Sequence, residues 1–177
     1  MINNKKNIYL IGMMGSWKST IGSNLAKILD MNFFDIDDVI EELTEMKITD
    51  IFKQLGEAKF REMEKAFFIE KSKGSNQLFS TGGGIILDNE NRKILKKGTT
   101  FLLETSPSII ATRIHNTNKR PLIKDPDNLE KQLSDIWLER QKYYYESSQH
   151  IIKTDNLKPS DVIDEILKLL KNIDEQD

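Results

Sequence analysis

The hydrophobic and polar positions of this chain form two alternating patterns. Short apolar runs bounded by polar or small residues predict five strands, at residues 8–11, 32–34, 77–80, 100–103 and 150–153. Between them, apolar residues recur at helical spacing and predict eight helices, at residues 19–29, 39–44, 49–54, 57–73, 89–96, 107–115, 128–147 and 159–173. Strands that alternate with helices indicate an α/β fold with a parallel sheet covered on both faces.

Two segments do not belong to this sheet-and-helix plan, although no Pro/Gly/Ser-rich linker divides the 177 residues. Residues 35–64 are mostly helical and rich in charge, which predicts an inserted lobe. Residues 116–127 are polar and include Pro121 and Pro126, which predicts a mobile lid between two helices. A mobile cover excludes water from a site that transfers phosphate. We therefore expect a single domain over residues 1–177, with a lobe at 35–64 and a lid at 116–127.

The first predicted strand leads into the stretch with the most specific chemistry. Gly12 ends the strand, Gly15 and Ser16 follow in a short loop, and the first helix opens on Lys18-Ser19. This strand, small-residue loop and helix have the layout of a phosphate-binding loop. Backbone N–H groups and the positive end of the helix dipole converge there on a polyanion. Lys18 is expected to reach the β- and γ-phosphates, and the Ser19 hydroxyl to bind Mg²⁺.

One residue departs from the phosphate-loop motif. The motif has a glycine immediately before the lysine, and this chain has Trp17. Glycine suits that position because the backbone takes an unusual angle or approaches the phosphate closely. If Trp17 takes a positive φ, the strain is roughly 1–2 kcal/mol, and we expect the indole to point away from the nucleotide. The alternative is a strand–turn–helix in which the run of small residues is a coincidence.

Composition and charge narrow the class of protein. Hydrophobic residues make up 38% and charged residues 31% of the chain, as in globular rather than disordered proteins. A net charge of −2 gives no general attraction to nucleic acid or anionic membranes. No apolar run approaches the roughly 18 residues of a membrane span, and the first six residues lack the apolar core of a signal peptide. Since the chain also has no cysteine, we expect a cytoplasmic protein that binds neither nucleic acid nor membrane.

Carboxylates follow the second predicted strand. If the strand continues, alternation places Asp35 and Asp37 on the same side, beside the phosphate loop. One carboxylate would then hold Mg²⁺ through water, and the other would accept a proton from a substrate hydroxyl or orient it. The alternative is a helix N-terminus, where acidic side chains cap free N–H groups and Asp38 is the favoured cap.

Two further candidates lie between the lobe and the third strand. Arg61 falls off the apolar stripe of its helix and suits forked recognition of a carboxylate or phosphate. Its alternative is an exposed pair with Glu57 or Glu64, one turn away. Three glycines at 82–84 follow Thr81 at the end of the third strand. They let a ligand approach the backbone closely, or else form a flexible turn.

Three more arginines are candidates for the same cleft. Arg120 lies in the predicted lid, where it would stabilise charge that develops on the transferring phosphate. Arg140 would point into the cleft from a long helix, and Arg113 would stack on an adenine face. For Arg120 the alternative is a solvated loop charge.

Together these motifs resemble shikimate kinase, a family in the nucleoside-monophosphate-kinase-like group of P-loop proteins. The similarity covers nearly the whole chain. The residues that carry it are the phosphate loop, Asp35 with Asp37, Gly56-Glu57 with Phe60-Arg61 and Glu64, Thr81-Gly-Gly-Gly84, Arg120-Pro-Leu, and Arg140 with Tyr144. The resemblance implies a five-stranded parallel sheet of order 2-3-1-4-5 with a substrate lobe and a lid. It also implies a kinase, expected to be a monomer, that uses ATP and Mg²⁺ to phosphorylate the 3-hydroxyl of shikimate in aromatic amino-acid biosynthesis.

The resemblance also implies roles for individual residues. Asp37 is the candidate base and contacts ring hydroxyls, Arg61 and Arg140 grip the substrate carboxylate, and Gly83 offers a backbone N–H. Ser19 binds Mg²⁺ with Asp35 in its outer shell. Lys18, Asp37 and Arg120 would be the catalytic residues. The residues expected to hold the nucleotide are Gly15, Ser16, Trp17, Lys18, Ser19, Thr20, Arg113 and Arg120.

Two departures from the family pattern concern the nucleotide, and two other functions stay open. Trp17 replaces a loop glycine, and Leu157 follows Asn156 where a polar or basic residue often stands, which leaves the adenine contacts open. A kinase of the same fold for another small acid or sugar, such as gluconate, is one alternative. A catalytically silent binder of nucleotide or shikimate, caused by Trp17, is the other. The pair Arg61 and Arg140, together with Asp37, favours shikimate.

Overall fold

The computed structural model of the protein describes residues 6–115, 120–123 and 125–175. Five parallel strands form one sheet in the order β2-β3-β1-β4-β5, as predicted. In chain order the strands are β1 (Ile8–Ile11), β2 (Asn32–Asp35), β3 (Gln77–Ser80), β4 (Thr99–Glu104) and β5 (His150–Lys153). Three of them have the predicted bounds, and β2 and β4 are longer by one and two residues.

In the described part of the chain, eight α-helices connect and cover the strands. They are α1 (Lys18–Leu29), α2 (Ile36–Thr44), α3 (Ile48–Gln54), α4 (Glu57–Lys71), α5 (Asn89–Leu95), α6 (Pro107–Arg113), α7 (Leu129–Ser147) and α8 (Pro159–Asp174). Their bounds lie within three residues of the predicted ones. Short 3₁₀ turns at Ile85–Leu87 and Pro126–Asn128 were not predicted, because three-residue turns carry no hydrophobic period.

The central strand shows why the sheet is buried on both faces. All four residues of β1 are buried, and alternate side chains belong to different cores. Ile8 and Leu10 pack with residues of α1 and α8, whereas Tyr9 and Ile11 pack with residues of α4, α5 and α7. Because the strands are parallel, their carboxyl ends all lie at one edge, where the loops after β1, β2 and β3 meet.

The two segments predicted as lobe and lid differ in how much the structure describes. Helices α2, α3 and α4 pack on one another between β2 and β3, in the region predicted as the lobe. Of the predicted lid, residues 116–119 and 124 lie outside the described residues. Ile123 in that segment is buried against the core. The functional division into lobe and lid stays a prediction.

Candidate active site

The loop between β1 and α1 has the backbone of a tight anion-binding turn. Gly12 and Gly15 have φ values of +145° and +75°. A Cβ atom on Gly12 would lie 2.6 Å from the carbonyl oxygen of Leu103 on the adjacent strand, so only glycine fits there. The Ser16 side chain is fully buried, and the backbone N–H of Ser16 donates to the carbonyl oxygen of Met13 at 3.3 Å. The free N–H groups at the start of α1 thus face the mouth of this loop.

Lys18 is buried against the loop rather than extended into solvent. Its ammonium donates to the carbonyl oxygens of Gly12 at 2.9 Å and Met13 at 2.8 Å, and lies 3.3 Å from Ser16 Oγ. Burial lowers the pKa of Lys18 from 10.5 to about 8, although Asp37 and Asp35 oppose that effect. The Lys18 ammonium is therefore held where the oxygens of a bound phosphate would compete with these carbonyl oxygens for its hydrogen bonds.

Trp17 adopts the positive φ expected for a residue in the place of glycine, and its indole packs on a neighbouring arginine. Its backbone has φ 67° and ψ 16° and forms the N-cap of α1. Trp17 lines the cavity above the loop, and the expectation that its indole points away from the nucleotide stays a prediction. The Arg113 guanidinium stacks on the indole, with Cζ 3.4 Å from the ring centroid. This stack accounts for the orientation, since a cation over an indole face is stabilised.

The carboxylates after β2 come together for a reason different from the predicted one. The strand ends at Asp35 and α2 begins at Ile36, so Asp37 lies on a helix and not on a continued strand. The N-cap is Asp35, whose Oδ1 accepts from the N–H of Asp37 at 3.2 Å, and the expectation that Asp38 caps the helix is wrong. The helical turn still brings Asp35 and Asp37 to the wall of the same cavity.

Two of the acidic side chains keep a buried oxygen for a ligand. Among the residues that the structure describes, Asp35 Oδ2 and Asp37 Oδ1 are buried without a hydrogen-bond partner. Burial, reinforced by Asp35, raises the pKa of Asp37. Unsatisfied buried acceptors are costly, so their presence in a cavity indicates a site that a ligand or metal ion completes.

Arg61 makes the ion pairs of one interpretation and lines the cavity that the other requires, while its recognition of a ligand stays a prediction. Its guanidinium bonds Glu64 at 2.8 Å and Glu57 at 3.2 Å, and it also lines the cavity. It lies directly against Gly84, where a Cβ atom would fall 2.5 Å from Nη1 of Arg61. Glu64 is only 1% exposed, and burial raises its pKa to about 6 against the opposing effect of Arg61. The buried Glu64 thus holds Arg61 in place while the guanidinium lines the cavity.

Arg140 reaches the same cavity from α7. It is 5% exposed, and its Nη1 donates to the carbonyl oxygen of Gly83 at 3.2 Å. Within the described part of the chain, its Nε is buried and unpartnered. The Tyr144 hydroxyl donates to the same carbonyl at 2.6 Å. Burial raises the pKa of Tyr144 to about 12, which keeps this donor protonated.

Glu64 and Tyr144 have roles that sequence reasoning did not assign. Both residues stand in the motifs that carry the family resemblance, but neither was proposed as a site residue. The available indication was spacing, since Glu64 lies one turn from Arg61 and Tyr144 one turn from Arg140. Burial of these two partners depends on packing between elements far apart in the chain.

Two cavities meet at this edge of the sheet. A cavity of about 510 Å³ contains Asp37, Arg61, Gly83, Arg120 and Arg140 in its wall. A second cavity of about 340 Å³ lies over the phosphate loop and is lined by Gly15, Trp17, Lys18, Ser19, Thr20 and Arg113. Ser19, Asp35, Asp37, Gly83 and Arg120 line both. A phosphate donor and an acidic acceptor can therefore meet along a common wall.

The loop after β5, where adenine contacts were left open, is held by hydrogen bonds to Arg113 of α6 and to Ser106 just before α6. Thr154 is buried, and its carbonyl oxygen accepts from Nη2 of Arg113 at 3.0 Å. Asp155 accepts from the N–H of Ser106 at 2.8 Å. Asn156 is exposed, whereas Leu157 packs against an apolar core. This loop holds Arg113 in place and presents Asn156 to solvent.

The donor set at the shared wall suits a hard divalent cation shared with a ligand. Within residues 6–115, 120–123 and 125–175, no cluster of three or more acidic or histidine side chains could hold a metal unaided. Ser19 Oγ lies 3.4 Å from Ser80 Oγ, and Asp35 offers its unpartnered Oδ2. A hydroxyl and a carboxylate oxygen fit Mg²⁺, which takes its other ligands from phosphate and water.

None of the helices in the described part of the chain is both long and apolar enough to cross a membrane.

Comparison with known proteins identifies relatives over nearly the whole chain. The family model described as shikimate kinase matches residues 14–171. The shikimate kinase of Thermodesulfovibrio yellowstonii is 38% identical over 164 residues, which cover 92% of this chain and 94% of that protein. The shikimate kinase of Sulfurihydrogenibium sp. is 41% identical over 167 residues, which cover 94% of this chain and 98% of that protein.

Solved structures agree with the sequence relatives. The shikimate kinase from Acinetobacter baumannii in complex with shikimate superposes with a TM-score of 0.90 at 34% identity, covering 94% of this chain and 93% of that one. A gluconokinase from Sinorhizobium meliloti 1021 has a TM-score of 0.60 at 16% identity, covering 97% of this chain and 95% of its own, and shares the fold alone.

Proposed function

The chain belongs to the shikimate kinase family, and on that basis we propose that it transfers the γ-phosphate of ATP to the 3-hydroxyl of shikimate. The single observation that carries the proposal is the convergence of Arg61, Arg140 and Asp37 in one cavity beside the phosphate loop. Two arginines suit a monocarboxylate, and a carboxylate suits vicinal hydroxyls. The products are shikimate 3-phosphate and ADP, in aromatic amino-acid biosynthesis.

In this proposal the acid is held at the end of the larger cavity. Arg61 and Arg140 bind the shikimate carboxylate, and the N–H of Gly83 bonds the bound acid. Glu64 and Tyr144 are positioning residues, since the first bonds Arg61 at 2.8 Å and the second fixes Gly83 at 2.6 Å. Most of the catalysis of phosphoryl transfer comes from such positioning and from electrostatic stabilisation.

Asp37 is the proposed base. Its raised pKa, caused by burial and then by Asp35, makes it a better proton acceptor than an exposed carboxylate. As the substrate oxygen attacks phosphorus, its proton passes to the free Oδ1 of Asp37. Lys18 and Arg120 stabilise the negative charge on the transferring phosphate.

The nucleotide in this proposal lies along the smaller cavity. Its phosphates bind the N–H groups of residues 15–20 and the ammonium of Lys18. Mg²⁺, held by Ser19 and through water by Asp35, supplies charge neutralisation at the phosphates when bound. We also propose that the predicted lid closes over Arg120. The protein is proposed to act as a monomer and to be cytoplasmic.

One experiment distinguishes this proposal from its two alternatives. The first alternative is a kinase with gluconate as acceptor, and the second is a binder without catalytic activity. ADP release with Mg²⁺ and ATP is measured for shikimate and gluconate. We expect turnover with shikimate only. ADP release with gluconate in place of shikimate, or shikimate binding without any turnover, would overturn the assignment.

A variant at the proposed base sharpens that experiment. Asp37→Asn keeps the shape of the side chain, so shikimate should still bind while kcat falls by about 10²- to 10⁴-fold. Glu42→Gln, in the same helix but exposed and outside both cavities, is the matched control and should keep kcat within about threefold. Equal losses in the two variants would count against Asp37 as the base.

A further inference from the structure

The arrangement of the two cavities determines where the base of a nucleotide must lie. The acceptor cavity and the phosphate-loop cavity share Ser19, Asp37 and Arg120, so the γ-phosphate belongs at that shared wall. The α-phosphate and the nucleoside must extend the other way along the loop. The cavity wall in that direction is formed by Trp17, Thr20 and Arg113. Two of these side chains, Trp17 and Arg113, have planar faces, and the guanidinium face of Arg113 is one on which a base can stack.

That planar face of Arg113 already carries a ring. The centroid of the Trp17 indole lies 3.4 Å from Cζ of Arg113, which is the separation of stacked planes. The guanidinium cannot turn away easily, since its Nη2 and Nη1 donate to Thr154 O at 3.0 Å and Thr154 Oγ1 at 3.4 Å. The edge of the stack is apolar, because Trp17 and Leu157 both pack against the same core.

The backbone of the loop holds the ring in this place. Trp17 has φ 67° and ψ 16°, and its carbonyl oxygen accepts the N–H of Ile21 at 2.9 Å in the first turn of α1. An indole is a flat bicyclic ring of about the size of a purine. Stacking on a guanidinium is available to both rings on the same terms.

We propose that the indole of Trp17 occupies the nucleobase position on the guanidinium of Arg113, so that ATP must displace the ring before its base can stack there. The inference deepens, and rests on, the proposed ATP-dependent function. Its consequence is that the triphosphate of ATP contributes almost all of the affinity, and the adenine contributes little. In the alternative arrangement the indole stays on Arg113 and the adenine stacks in addition to it. Trp17 would then strengthen the binding of ATP.

Comparison of ATP with inorganic tripolyphosphate isolates the contribution of the base. Dissociation constants of both ligands with Mg²⁺ are measured by calorimetry for the wild-type protein, Trp17→Gly and Trp17→Asn. Glycine removes both the ring and the backbone strain. Asparagine removes the ring but tolerates the left-handed conformation, so it controls for a change in loop flexibility. Tripolyphosphate binding in the same three proteins controls for damage to the phosphate loop.

The proposal predicts that the wild-type protein binds ATP and tripolyphosphate within about threefold of each other, whereas both variants favour ATP by about tenfold or more. A preference for ATP that stays the same or falls in the variants would overturn it. Failure of all three proteins to bind either ligand would instead overturn the proposed function, and the inference with it.

Fluorescence gives a second readout that does not depend on the variants at position 17. The chain has two tryptophans, and a Trp137→Phe background leaves Trp17 as the only indole. ATP should change the Trp17 emission because the ring leaves the guanidinium, and tripolyphosphate should leave it nearly unchanged. Equal responses to the two ligands would contradict displacement by the base.

Discussion

Gly84 is a position at which the proposed substrate site depends on the absence of a side chain. It has φ −105° and ψ 0°, so alanine can adopt its backbone conformation. A Cβ atom there would fall 2.5 Å from Nη1 of Arg61, where ordinary contact begins at 3.4 Å. The guanidinium must therefore retreat by about 1 Å, a displacement that is enough to spoil a directed contact.

The expected loss follows from the contact that Arg61 is proposed to make. A hydrogen bond to a charged group contributes about 1.5–3 kcal/mol, which is roughly a 10- to 100-fold change in affinity. Gly84→Ala should thus raise the KM for shikimate by about 10- to 100-fold, while the KM for ATP stays within about threefold of the wild-type value. Steady-state kinetics with each substrate varied in turn measure both constants.

Gly74→Ala is the matched control. A Cβ atom on Gly74 would also fall within 3.0 Å of a flexible side chain, the amide of Gln77, but this site is remote from both cavities. Its kinetics should match those of the wild-type protein. An unchanged KM for shikimate in a folded Gly84→Ala variant would refute the idea that Arg61, in the position described, binds the acid.

Two further predictions use the titration of buried groups. Because burial lowers the pKa of Lys18 to about 8, ATP affinity should fall as the pH rises above that value, and Lys18→Arg, which stays charged, should show no such fall. Calorimetry from about pH 7 to about pH 9.5 tests this, and a flat wild-type profile would count against it. The pKa of Glu64 is raised from 4.5 to about 6, so the native state holds this proton more tightly than the unfolded state. The stabilisation is present below pH 4.5 and is lost as the pH rises through about 6, which should lower the unfolding free energy of the wild-type protein by about 2 kcal/mol relative to Glu64→Gln. Denaturant titrations of both proteins at about pH 4.5 and about pH 7 measure the difference, and an equal offset at both values would contradict the assignment.

The phosphate loop and the sheet could be predicted because their determinants are local. β1 is a continuous apolar run that ends at Gly12, and Lys18 with Ser19 opens the next helix. The alternation of strands and helices then limits the topology to a few arrangements. The order of the strands came from the family resemblance and agrees with the structure.

Other features depended on exact boundaries or on contacts between distant segments. Extension of β2 by one residue makes Asp35, rather than Asp38, the cap of α2. The burial of Glu64 beneath Arg61 and the 3.4 Å stack of Arg113 on Trp17 arise from tertiary packing. Helical spacing names Glu57 and Glu64 as possible partners of Arg61, but no period or motif in the sequence encodes the burial of Glu64 or the stack on Trp17.

The central claim, transfer of phosphate to one hydroxyl of shikimate, is tested most directly by the structure of the product. The purified protein is incubated with ATP, Mg²⁺ and shikimate, and the mixture is followed by phosphorus and proton NMR. We expect equimolar ADP and a single phosphate ester whose phosphorus couples to the proton on carbon 3 of shikimate. ADP formed together with free phosphate, or an ester at another hydroxyl, would contradict it.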